Sequence, residues 1–535
     1  MLTEDRAEAS TVLDESPLGS SAELKATEAA ASAPSPNTIE EKGGHRDAPA
    51  DIERGSAATA AQQTDNAAPR DPDIVDFDGP DDPENALNWP LRKKVVAVAT
   101  ISLITLLTPL GSSMFAPGVP QVMRDFGSTN LELASFVVSV YLLGYCFGPL
   151  LIAPLSEMYG RVIIYNVCNV LYVVFTVACA VAPNLGALIV FRFFAGSAGS
   201  APLTIGAGSI SDMIRQEKRG GAMAAWALGP LIGPVIGPVA GGYLTQAKGW
   251  RWTFWVLAIA AGAVTVVCFL FLRESYAYTI LDRKTKRLRE ETGNPNLRSA
   301  LDSGRSAKDL FLFSIVRPTK MLFRSPIVFL LSLYVAVVYG YLYLLFTTLT
   351  AVFEGQYGFS QGSVGLAYLG IGVGSIIGLF IVGSVSDRLL KYLSEKNGTS
   401  KPEFRLPPMI PGTFFIPLAL FWYGWTADKH LHWILPIIGT AFLGVGMLLV
   451  FMTVSTYLVD AYTVYSASAI AANTVFRSLA GAVLPLAGGR MYETLGLGWG
   501  NSLLAFIALG LSPVPFLFYR YGERIRTSKR FRIDF

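Results

Sequence analysis

From Lys94 onward the chain is a succession of apolar runs, each close to the ~20 residues that a helix needs to cross the hydrocarbon core of a bilayer. They fall at about 95–117, 133–154, 162–182, 186–210, 220–243 and 253–272. After a break they resume at about 326–350, 362–385, 407–426, 431–457, 467–488 and 499–520. Two sets of six spans predict an all-α membrane protein of two six-helix bundles, residues 89–272 and 325–522. Composition agrees. Of 535 residues, 52% are hydrophobic and 16% charged, against about a quarter charged in soluble domains, and the mean hydropathy is +0.43. So few charges cannot cover so much apolar surface unless lipid does. Of the 40 acidic residues, 20 precede Trp89. The net charge of +3 therefore averages unlike parts and gives no support to a nucleic-acid partner.

Residues 1–88 are rich in Ala, Ser, Glu, Asp, Pro and Gly without apolar periodicity, and are expected to be a disordered, acidic, cytosolic tail. No apolar core follows Met1, so the first span serves as the targeting signal rather than a cleaved leader. The break, residues 273–324, holds 12 Lys/Arg and 6 Asp/Glu and is expected to be a cytosolic linker with helical stretches such as Lys284–Glu291. Residues 523–535 form a basic cytosolic tail. The positive-inside rule fixes orientation. With both termini in the cytosol, inner loops and the C-terminal tail carry 30 Lys/Arg from Arg92 onward, while outer loops carry only Arg124, Lys248, Arg251, Lys429 and Arg490. The sequon Asn397-Gly398-Thr399 would then face the cytosol, where it is not glycosylated.

Catalysis finds little to work with. Cys146, Cys168, Cys179 and Cys268 all sit in apolar runs and read as buried thiols. His45 and His430 lie outside them and His432 stands at the very edge of one, which disfavours a membrane metal site or histidine relay. The chain is expected not to be an enzyme and to use no cofactor.

Short echoes between the halves suggest an internal duplication. Ser156-Glu157 follows the second span and Ser386-Asp387-Arg388 the eighth. Asp212 closes the fourth span and Asp460 the tenth. The loop Ala153-Pro154-Leu155-Ser156-Glu157-Met158-Tyr159-Gly160-Arg161 offers a carboxylate that can pair with Arg161 beside a turn that Gly160 permits, an ionic latch at the cytosolic surface. The alternative is a solvated loop charge. This loop resembles the G-x-L-x-D-x-x-G-R signature of the major facilitator superfamily, with Ala for the first Gly and Glu for Asp. Arg192, some six residues into the fourth span, and Arg477, midway in the eleventh, each cost on the order of 3 kcal/mol in lipid on insertion scales. Each therefore faces either a functional partner or backbone carbonyls of a neighbouring helix. Arg192 through Gly199 resembles the family's R-x-x-x-G-x-x-G motif, which implies proton coupling.

The fifth span carries Gly229, Pro230, Gly233, Pro234, Gly237, Pro238, Gly241 and Gly242. Glycine every fourth residue makes one row along a helix, against which a neighbour can approach closely. Each proline removes a backbone donor and bends the helix. The pattern resembles that of proton-coupled antiporters. Asp82 through Pro90, Trp250 through Trp255, Arg273-Glu274-Ser275-Tyr276, Tyr457 through Tyr462 and Ala471 through Ser478 resemble fungal drug:proton antiporters with twelve spans. The resemblance implies a major facilitator fold and a monomeric secondary transporter. It would export a small organic compound by alternating access, with the proton gradient as energy source, from the plasma membrane or else the vacuolar membrane.

The carboxylates Glu132, Glu157, Asp212, Glu354, Asp387 and Asp460 all fall near span ends, which favours a neutral, amphipathic or anionic cargo over a polycation. A polyamine or other organic-cation transporter is the alternative, and a non-transporting receptor on the same fold a further one. Tyr339, Tyr343 and Phe346 of the seventh span are candidate cavity residues, with packing as their other reading. Glu157 and Asp212, with Arg161 and Arg192, are the expected proton-coupling groups.

Overall fold

The computed structural model describes residues 73–215, 218–302, 307–462 and 465–528, with backbone alone over 307–314. The expected tail before residue 73 and the basic end after 528 lie outside the described residues. The first half forms α1 (Leu91–Ser113), α2 (Val119–Asp125), α3 (Leu131–Tyr159), α4 (Arg161–Ala180), α5 (Leu185–Gly199), α6 (Ala201–Met213), α7 (Arg219–Lys248) and α8 (Arg251–Phe271). Two helices, α9 (Ala277–Thr292) and α10 (Ala307–Arg324), bridge the halves. The second half forms α11 (Pro326–Tyr357), α12 (Gln361–Ala367), α13 (Leu369–Asn397), α14 (Met409–Asp428), α15 (Ile434–Ala461), α16 (Ser466–Leu511) and α17 (Pro513–Thr527).

Among the described residues, ten segments are long and apolar enough to cross a bilayer. One of them, Ser466–Thr527, runs 62 residues and turns back at Gly496, whose φ of 73° and ψ of 172° suit a residue without Cβ. It therefore supplies two crossings. The 20-residue α14 carries no charge before its final Asp428 and supplies the twelfth. α13 continues beyond the expected end of its span, by about three turns, to Asn397. The helix ends alternate between two faces. Call the one where α1 begins and α17 ends the terminal face, and the other the far face.

α1 and α7 meet along the glycine row. A Cβ on Gly229 would come within 2.9 Å of the Leu106 backbone nitrogen, and one on Gly233 within 2.9 Å of that of Leu110. Gly237 and Gly241 press in the same way on Ser113 and Met114. The opposite edge of α7 packs against α12 and α13. There a Cβ on Gly365 would stand 2.5 Å from the Pro238 carbonyl oxygen, and Gly372 faces Val235. Toward the terminal face α1 and α7 part, leaving a cavity of about 690 Å³ lined in part by Trp89, Lys94, Val98, Arg215 and Lys218.

Residues 73–88, expected from composition to be unstructured, are held by charge pairing, with Val75 and Ala86 as their buried apolar contacts. A two-residue strand β1 (Ile74–Val75) pairs in parallel with β2 (Arg298–Ser299). Lys284 of α9 is buried and donates to the Asp76 carbonyl at 3.1 Å. It also forms ion pairs with Asp78 at 2.8 Å and Asp82 at 3.5 Å. Arg287 reaches Glu84 at 3.3 Å, and Asn294 donates to Asp73 at 3.1 Å. The run Asp82 through Pro90 is thus the strap that fixes the start of α1 to the linker. All four cysteines are buried and unpaired.

Two outcomes follow. Gly241→Val inserts carbons into a closed seam and is expected to cost about 1–3 kcal/mol, read as a lower thermal midpoint in detergent. An unchanged midpoint would refute the seam. The strap itself is pH-sensitive. Burial alone would raise Asp82, but the backbone N–H groups of Asp78 and Glu84, with Lys284, outweigh it and hold the carboxyl below its usual 3.8. A depressed carboxylate contributes stability above its unfolded pKa and loses it as pH falls through the folded value. A spin label on Asp81→Cys, an exposed position, is expected to stay immobile at neutral pH and to loosen only below the ordinary carboxylate range.

Candidate functional site

The α3–α4 turn is built on Gly160, whose φ of 97° and ψ of 162° lie in a region reserved for glycine. A Cβ there would also come within 2.5 Å of Glu274 Oε2. That space is taken because Glu274, from the segment after α8, accepts from the backbone N–H of Arg161 at 3.0 Å and of Val162 at 3.1 Å. It fills the place of a side-chain cap that Gly160 cannot supply, and its charge suits a helix N-terminus.

With its backbone so held, Arg161 reaches across the terminal face. Its Nε pairs with Asp212 at 3.3 Å at the end of α6. Its Nη1 donates to Ser156 at 2.8 Å. The Tyr276 ring lies 4.6 Å from the guanidinium. Burial, aided by the Glu157 carboxylate, pushes the Tyr276 hydroxyl up to about 12, so the ring stays neutral beneath the cation. The expected latch partner differs. Glu157 makes no ion pair with Arg161 within bonding reach among the described residues; it lies close enough to Arg161 and Arg317 to feel both charges. Asp212 wins because Arg161 starts α4 and points toward the end of α6, whereas Glu157 stands before the end of α3.

The second half repeats the arrangement. Arg405, just before α14, donates Nε to Asp460 at 2.8 Å at the end of α15 and Nη1 to Ser386 at 3.2 Å. It also pairs with Asp387. Each half thus holds an arginine bracket joining a serine of its second crossing to an aspartate of its fourth. The sequence echoes located Ser156, Ser386, Asp212 and Asp460 but not Arg405. In the first half serine and arginine are 5 residues apart. In the second they are 19 apart, because α13 runs on beyond Asp387, so the spacing hides the match.

Arg192 is 1% exposed and stands among the rings of Phe115, Tyr141 and Phe254, at 4.8, 5.4 and 5.7 Å. Its Nη2 donates to the carbonyls of Ser112 at 3.4 Å and Val138 at 3.3 Å. No carboxylate pairs with it among the described residues. Ser112 in turn bonds Tyr343 across the halves at 3.0 Å. Tyr343 and Phe346 are buried, and Phe346 packs on Tyr368 at 5.5 Å. Neither is open to a cavity in this state: Tyr343 is held by its bond across the halves, and Phe346 is packed within its own half. Tyr339 remains half-buried beside Arg477, 5.1 Å from ring to guanidinium.

The contacts joining the halves lie toward the far face. Ser139 donates to the Ala482 carbonyl at 2.8 Å, Gln246 accepts from the Gly362 N–H at 2.9 Å, and Glu132 pairs with Arg490 at 2.5 Å. The two brackets stand at the terminal face, each within its own half. Gly160→Ala is expected to destabilise the protein by about 1–3 kcal/mol, measured as loss of thermal midpoint. A neutral result would mean that Glu274 can withdraw at no cost.

Comparison with known proteins places this architecture. The described far-face closure and twelve crossings accompany a match to the Major Facilitator Superfamily over residues 101–485. The chain is 71% identical over 466 residues to the MFS-type transporter penM of Penicillium rubens, covering 87% of this chain and 92% of that one. It is 53% identical to the efflux pump radE of Floropilus chiversii, covering 91% and 90%. The xylose transporter XylE from E. coli superposes with a TM-score of 0.61 at 13% identity, over 80% of this chain and 98% of that one. At that identity only the fold is shared. The chain belongs to the Major Facilitator Superfamily and is a multi-pass membrane transporter, not an enzyme.

Proposed function

We propose that the protein exports a small organic compound, a drug, toxin or secondary metabolite, in exchange for protons by alternating access. Both termini lie in the cytosol on this reading, so the terminal face is cytosolic and the described state faces inward. The plasma membrane is the proposed location. The observation that carries the proposal is the asymmetry of contact: the halves bond each other toward the far face, while at the terminal face each half closes its own arginine bracket.

That asymmetry supports a rocking cycle. Opening outward must break Ser112–Tyr343, Ser139–Ala482, Gln246–Gly362 and Glu132–Arg490. Closing inward must bring the brackets toward the opposite half. Arg161 and Asp212 are mostly shielded, at 12% and 17% side-chain exposure. Protonating Asp212 leaves Arg161 holding only Ser156, the Glu274 cap and the Tyr276 face. The bracket thus offers a titratable step tied to the α3–α4 turn. The glycine seam of α7 and the likeness to a relative named as an efflux pump support export rather than uptake.

The test is efflux of fluorescent compounds from cells expressing the full chain, at imposed pH gradients. External acid is expected to accelerate efflux and a protonophore to slow it by about ten-fold or more. Asp212→Asn removes the titratable charge and is expected to abolish the response to the gradient while leaving the protein in the membrane. Efflux indifferent to the gradient, or a fully responsive Asp212→Asn, would overturn the coupling.

A further inference from the structure

The two arginines within the apolar helices are not equivalent. Arg192 donates Nη2 to the carbonyls of Ser112 and Val138, although its Nε, like that of Arg477, has no partner. Arg477, midway along the first arm of α16, has only aromatic faces: Tyr339 at 5.1 Å and Phe451 at 4.7 Å. Among the described residues it makes no ion pair and no hydrogen bond, and its Nε is buried without a partner. A guanidinium at this depth is costly to bury, and aromatic faces offset only part of that cost and satisfy none of its five N–H donors.

Other unpaired polar atoms gather around it. Asn473 lies one turn earlier on the same helix face, 2% exposed, with an unpartnered Oδ1. Tyr145 of α3, from the opposite half, has a buried hydroxyl that closes no hydrogen bond; Thr108 and Tyr141 are its polar neighbours within its own half, and Tyr339 is near enough to interact with it electrostatically. One turn beyond Arg477, Gly481 meets Leu142 and Tyr339, and there the Ser139–Ala482 bond begins the far-face closure. Arg477, Tyr145 and Asn473 therefore sit on the terminal-face side of the bond that begins the closure between the halves. Buried polar groups are nearly always satisfied, and a group of them left open at a transporter's centre points to a ligand.

Resting on the exporter reading, we infer that Arg477 anchors an anionic head group of the cargo. The cargo is a small apolar compound bearing a carboxylate or an ionised phenol. Arg477 binds the anion, Tyr145 donates a second hydrogen bond, and Asn473 accepts from a hydroxyl on the cargo. The rings of Tyr339 and Phe451 flank its apolar body. With no carboxylate pairing Arg477, an organic cation meets repulsion here without compensation.

Saturation binding to the full chain in nanodiscs tests this with three probes that differ only in head group: 2-naphthoate, 2-naphthamide and 2-naphthylmethylammonium. The wild type is expected to bind naphthoate about 10- to 100-fold more tightly than the ammonium, the range of a charge-assisted hydrogen bond. Arg477→Gln is expected to erase that preference while naphthamide binding persists. A wild type without the preference, or a Gln variant that keeps it, overturns the inference. If the Gln variant loses naphthamide as well, it is misfolded and Arg477→Lys decides. It keeps the charge but loses the planar fork, so naphthoate should weaken several-fold, and unchanged affinity overturns the anchor. Binding requires no gradient. Gradient-independent efflux with the naphthoate preference intact would therefore overturn the antiport reading alone.

Discussion

The rest of the structure depends on how closely α7 lies against its neighbours on both edges. In lipid there is no hydrophobic gain from bringing two helices together, so association rests on van der Waals contact and on what the side chains leave room for. Toward α1 the room is made by α7 itself, through Gly229, Gly233, Gly237 and Gly241. Toward α12 and α13 it is made mainly by the partner, where Gly365 and Gly372 receive Pro238 and Val235. One helix is thus packed in opposite ways on its two edges. The first contact is within its half and the second is between halves, so α7 carries the closure of the far face on a backbone weakened by Pro230, Pro234 and Pro238.

That closure is made by small residues, a few polar bonds and the Glu132–Arg490 pair, whereas the arginine brackets stand at the terminal face. Each bracket ties three crossings of one half together: the end of the second, the start of the third and the end of the fourth. The first is further secured by Glu274, which belongs to the segment leading out of α8, and by the strap on Lys284 one helix later. The linker is therefore no passive tether. It caps α4, supplies the ring under Arg161 and holds residues 73–88, so the beginning of the chain and the passage between halves share one charged assembly.

Much of this was legible in the sequence because the bilayer imposes simple periodicities. Apolar runs near twenty residues located the crossings, and a four-residue glycine repeat identified the α1-facing edge of α7. Pairwise chemistry was less legible. Arg161 chose Asp212 over the nearer Glu157 because partner choice follows the direction of a helix start, not sequence distance. Arg405 was hidden by the extra turns of α13. The strap was misread because composition measures the capacity for apolar burial, while Asp78, Asp82 and Glu84 are ordered by Lys284 and Arg287. Tyr343 and Phe346 share the aromatic pattern of Tyr339, and only packing separates these two buried rings from the half-buried one.

The two intramembrane arginines, 285 positions apart by numbering, are joined by a short path of contacts. Arg192 donates to the Ser112 carbonyl, and the Ser112 hydroxyl bonds Tyr343. Tyr343 packs on Tyr339 at 5.2 Å, and Tyr339 lies against Arg477. Contiguity alone is not coupling, which needs an element with two arrangements that both sites bias. In this path the element is the Ser112–Tyr343 bond, since it crosses between the halves and must break when the far face opens. Arg192 holds the α1 backbone that presents Ser112, and Arg477 holds one face of the ring beside Tyr343. A ligand on Arg477 therefore bears on Tyr339 in the very state in which Ser112 and Tyr343 are joined. Coupling between cargo and closure requires only that Tyr339 move when Arg477 finds its anion.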